Sequence, residues 1–60
     1  MSRKVIVHTF YAGGKSVCIS EWYEPLDEYH LRQKAAEFKE RGYGEIDTVT
    51  DTTGRLVKLS

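Results

Sequence analysis

Residues 4–25 read KVIVHTFYAGGKSVCISEWYEP, and the reading of this stretch decides the fold. Lys4–Tyr11 and Ser16–Tyr23 are rich in β-branched and aromatic residues, which fit a pleated strand. Between the two runs stands a Gly13-Gly14 pair, and glycine supplies the positive φ that tight hairpin turns demand. The stretch therefore predicts an antiparallel hairpin over residues 4–23. Pro25 ends it, because proline has no N–H for a ladder but suits the first turn of a helix.

Working outward, the spacing predicts a helix over 25–41. Asp27 and Glu28 put negative charge at the positive end of its dipole. Leu31, Ala35 and Phe38 recur at i, i+4 and i+7, a narrow apolar stripe. Glu28 with Arg32, and Glu37 with Arg41, are spaced for i,i+4 ion pairs. Gly42 suits a left-handed stop, with Tyr43 placed to fold back onto Phe38. Residues 45–59 then read as a second hairpin around Asp51-Thr52-Thr53-Gly54, a type I turn sequence with glycine last. In the register that follows, Thr50 faces Arg55, Thr48 faces Val57, Asp47 faces Lys58 and Ile46 faces Leu59.

The plan is β-β-α-β-β, an α+β domain with one helix on a four-stranded antiparallel sheet in the order 2-1-3-4. A chain of 60 residues holds one such domain, spanning residues 1–60. At that size only ~60% of the unfolded surface is buried on folding, so the core is small and a partner or second copy is expected. With one cysteine there is no internal disulfide to compensate. No apolar run is long enough to span a bilayer, and Met1-Ser2-Arg3-Lys4 opens no signal-peptide core, so a cytoplasmic protein with no membrane partner is expected.

A sheet with one face on a helix should alternate apolar and polar residues. The first hairpin does not. Val5, Val7 and Tyr11 share one face of its first strand; Ile6, His8 and Phe10 share the other. The preferred inner set is Val5, Val7, Val17 and Ile19, which leaves Ile6, Phe10 and Trp22 outward as an apolar surface for a partner. Charge adds direction. Residues 1–20 hold Arg3, Lys4 and Lys15 without an acid, whereas residues 21–30 hold Glu21, Glu24, Asp27 and Glu28 without Lys or Arg. Trp22, Tyr23 and Tyr29 interleave with those carboxylates. Rings that supply buried area beside charges that set register are what a site for a basic protein surface uses. The candidate partner-binding residues are therefore Phe10, Glu21, Trp22, Tyr23, Glu24, Asp27, Glu28 and Tyr29.

Other chemistries find less support. His8, Cys18 and His30 lie 10 and 12 residues apart in three elements, not in the close pairs of a zinc site, so no metal or other cofactor is expected. His8 and Cys18 can approach across the first hairpin, but nothing orients them as a nucleophile and base, and no catalytic residue is assigned. Gly14-Lys15-Ser16 ends like a phosphate loop, yet Thr9 stands where the first glycine belongs and a strand follows instead of a helix. The net charge is zero and the most aromatic segment is the most acidic, which disfavours nucleic acid, whose phosphates call for a basic excess.

In size and layout the chain resembles the short phage- or mobile-element-encoded proteins that cover a surface of a host protein: inhibitors, antitoxins and anti-defence factors. That resemblance implies a non-enzymatic protein-binding module that inhibits or modulates its partner, with a homodimer compatible. The alternative is a small nucleic-acid-binding regulator that uses the aromatic residues of the sheet face.

Overall fold

A computed structural model describes residues 4–60. The expectations that rest on Met1, Ser2 and Arg3 lie outside the described residues. Strands β1 (Ile6–Ala12) and β2 (Lys15–Trp22) are followed by helix α1 (Glu28–Glu40) and strands β3 (Thr48–Asp51) and β4 (Leu56–Lys58). The sheet is antiparallel throughout, in the order β2-β1-β3-β4, as the sequence predicts. Gly13 and Gly14 turn the first hairpin with φ of 62° and 83°, the two positive angles of a type I′ turn.

The inner face of the first hairpin is the reverse of the one expected. His8 and Phe10 are fully buried beneath the helix, while Val5 and Ile19 are exposed. Volume decides this. β1 is a central strand, and at its middle Phe10 faces Cys18 on one side and Val49 on the other. There its ring meets Phe38 of α1 edge to face at 5.0 Å, filling a space that valine leaves open. Val17 does pack against the core, but for a reason the alternation hides. Cys18 pairs with Phe10 and Ser16 with Tyr11, so β2 carries a bulge and Val17 is its extra residue. The buried apolar set is Phe10, Leu31, Phe38, Ile46, Val49 and Leu59.

The helix begins three residues later than expected. Asp27 is its N-cap, accepting from the His30 N–H at 2.9 Å, so Pro25 and Leu26 belong to the connection. Its end follows the sequence closely. The Gly42 N–H donates to the Lys39 carbonyl and the Tyr43 N–H to that of Phe38, both bonds of a Schellman motif. The Tyr43 ring stands perpendicular to that of Phe38 at 5.8 Å.

The second hairpin is shifted by one residue from the expected register. Thr48 faces Lys58, Val49 faces Val57 and Thr50 faces Leu56. Asp51 causes the shift: its carboxylate accepts from the Thr53 and Arg55 N–H groups, and its own N–H donates to the Arg55 carbonyl. The loop is thereby three residues with Gly54 at φ 92°, a type I turn closed by a glycine bulge, and Val57 turns inward.

Candidate functional site

Between the end of β2 and α1 lies a groove of about 530 Å³. Trp22, Glu24, Pro25, Leu26 and Asp27 line one side; His30, Gln33, Lys34 and Glu37 line the other. The helix residues recur at i, i+3, i+4 and i+7, so one face of α1 forms that wall. A shallower hollow of about 250 Å³, lined by Val5, Glu21, Trp22 and Tyr23, adjoins it, and Trp22 belongs to both.

A partly buried clamp holds the groove's connection in place. The Leu26 N–H donates to His8 Nε2 at 3.2 Å, and the Leu26 carbonyl accepts from Arg55 Nη2. Arg55 Nε lies 3.3 Å from Asp51 Oδ2, and only 2% of the Asp51 side chain is exposed. Burial alone would raise the Asp51 pKa, but hydrogen bonds from Thr53 and Arg55 and the Arg55 charge outweigh it and hold the carboxyl below its ordinary value. Because His8 Nε2 accepts, the ring proton is on Nδ1, which finds no partner in its buried position.

Trp22 is 37% exposed. Its Nε1–H donates to Ser20 Oγ at 2.6 Å, and Lys34 Nζ stands 5.0 Å from the ring centroid. Lys34 also lies 3.6 Å from Glu37 Oε2. Asp27 holds His30 through both its backbone N–H and Nδ1, the latter at 2.7 Å. The backbone bond, reinforced by the ring, lowers the Asp27 pKa.

Of the eight candidate binding residues, Trp22, Glu24 and Asp27 meet in the groove, and Glu21, Trp22 and Tyr23 in the hollow beside it. Tyr29 is exposed next to the groove, its hydroxyl accepting from Gln33 and its ring edge-on to His30. Glu28 faces elsewhere: it pairs with Arg32 at 3.0 Å, and Arg32 donates to the Leu59 carbonyl. Phe10 is corrected outright, since a side chain with no exposed surface in the core is no anchor for a partner. Sequence reasoning missed His30, Gln33, Lys34 and Glu37. Their i, i+3, i+4, i+7 spacing from His30 onward is visible in the sequence, but which flank of the helix meets Trp22 is not.

The outer sheet face is open, as expected, but its members differ. By register, Ile19, Thr9, Thr50 and Leu56 form one row across it, with Ile19 and Leu56 60% and 57% exposed at its two ends. His8 stands opposite Ser20 and Cys18 opposite Phe10, all on the helix side. Burial pushes the Cys18 thiol pKa up, the opposite of nucleophile activation. Among the described residues no group of three His, Cys, Asp or Glu side chains is placed to hold a metal ion, and no helix is long and apolar enough to cross a membrane. Comparison with protein-family models, curated proteins and solved structures gives no match to this chain.

Proposed function

We propose that this chain is a non-enzymatic protein-binding module that inhibits or modulates its partner, and that it receives a basic segment of that partner in the groove between Trp22 and α1. The observation that carries the reading is the lining: an indole wall, the apolar Pro25 and Leu26, and the carboxylates of Glu24, Asp27 and Glu37 around one concavity. Apolar surface supplies the affinity, and the acids attract and orient a cationic partner. The size and layout of the chain support a role of the inhibitor, antitoxin or anti-defence kind, in which a small surface is covered without chemistry.

The test is binding of the immobilised chain to arrays of basic and acidic peptides and to oligonucleotides at physiological salt. Basic peptides are expected to bind, and Trp22→Ala is expected to weaken this binding more than it lowers the melting temperature; the reverse would make Trp22 an ordinary core residue. Tight, steeply salt-dependent oligonucleotide binding with no peptide binding would replace this reading with the nucleic-acid one.

A further inference from the structure

We infer that the ring of Trp22 and the carboxylate of Glu37 form a seat for an arginine side chain of the partner, and that the protein's own Lys34 occupies this seat as an internal stand-in. The inference rests on the protein-binding reading above and names the chemistry of its central contact.

Lys34 shows what the seat accepts. Its ammonium stands 5.0 Å from the Trp22 ring centroid and 3.6 Å from Glu37 Oε2, so an aromatic face and a carboxylate already converge on one cation. A guanidinium fits that pair better than an ammonium does. It is planar and weakly hydrated, stacks on an indole, and presents a fork of N–H donors that matches a carboxylate. Lysine offers only a compact, strongly hydrated point charge.

The neighbouring groups favour a cation from outside. Glu24 adds negative charge to the lining, whereas Asp27 is already engaged by His30. That leaves Glu37 as the acceptor whose present partner is the displaceable one. Displacement costs little, because Lys34 and Glu37 are 33% and 54% exposed and ion pairs of that kind are weak. Lys34 is thus a weak internal competitor: it keeps the ring and carboxylate paired until a better cation displaces it. At about 530 Å³ the groove has room for the flanking residues of an extended segment as well.

Trp22 is the single tryptophan, so its fluorescence reports the seat directly. The experiment titrates the full chain with a short arginine-bearing peptide and with the same peptide carrying citrulline, at physiological salt. Lys34→Met keeps the aliphatic stem and removes the charge. It is expected to tighten binding of the arginine peptide measurably, by up to roughly fivefold, with no gain for the citrulline peptide. Lys39→Met, which makes the same change of net charge outside the groove lining, is expected to leave affinity nearly unchanged. Glu37→Gln is expected to weaken arginine binding. Equal affinity of wild type and Lys34→Met, an equal gain in Lys39→Met, or equal binding of the two peptides overturns the inference. Amide shifts at Leu26 and Gln33 separate the levels. Groove binding indifferent to Lys34 and to the guanidinium removes the arginine seat and leaves the protein-binding reading standing. No groove shift with any peptide, in any variant, removes both.

Discussion

His8 shows how much one buried polar atom organises. Its Nε2 accepts the Leu26 N–H, and the Arg55 guanidinium takes the carbonyl of the same residue, so both backbone polar groups of Leu26 are satisfied from the sheet. Replacing the ring by one of similar size without an acceptor, His8→Phe, should cost about 1–3 kcal/mol, because the Leu26 N–H loses its partner. Denaturant unfolding measures that loss, and amide exchange at Leu26 shows whether the connection has loosened. Asp51 has a pH signature. Its carboxyl is held below its ordinary value in the fold, so it binds fewer protons there than in the unfolded chain. The resulting stability is fully present above about pH 4 and is lost as the pH falls through the depressed folded value. Asp51→Asn should lower stability at neutral pH and flatten the acid limb of the stability profile; a variant with the wild-type acid limb would refute the assignment.

The helix and the two hairpins differ in how locally they are specified. α1 ends where Gly42 and Tyr43 dictate, because a Schellman motif involves only residues close in sequence. Its start was misplaced because Pro25 is equally compatible with a connection, and Asp27 caps through His30. Asp27→Ala should cost about 1 kcal/mol, read as a lower melting temperature, with the helix otherwise intact. Phe38 is the stripe residue that meets both Phe10 and Tyr43, so Phe38→Ala should cost about 3–5 kcal/mol. An unchanged melting curve would mean that the stripe is not the core. The second hairpin was legible as a hairpin but not in register. A four-residue loop and a three-residue loop both fit Asp51-Thr52-Thr53-Gly54, and the side-chain bonds of Asp51 select the shorter.

At the scale of the whole molecule, one helix covers one face of four strands, and the choice of face is the decision with most consequence. It buries Phe10 and exposes Ile19. Phe10→Ala should therefore cost about 3–5 kcal/mol, a large share of the ~5–15 kcal/mol that holds a domain folded. Ile19→Thr should change stability by only about 0.5 kcal/mol, since its side chain is already largely in water. Chemical denaturation of the two variants side by side checks the assignment, and a reversed ranking would restore the opposite face. The sequence by itself determined the element order, the first turn, the helix stop and the gathering of acids and rings over residues 21–30. Each of these is decided by neighbours along the chain: positive φ at glycine, dipole and capping chemistry, and period of apolar residues. Only the tertiary structure decided which face of β1 meets α1, the bulge that turns Val17 inward, and the groove where Lys34 and Glu37 meet Trp22. Those depend on whether side chains distant in sequence fill a shared volume, and both faces of the first hairpin are apolar enough to have been buried. Periodicity carries direction along a strand but not the volume on either side of it.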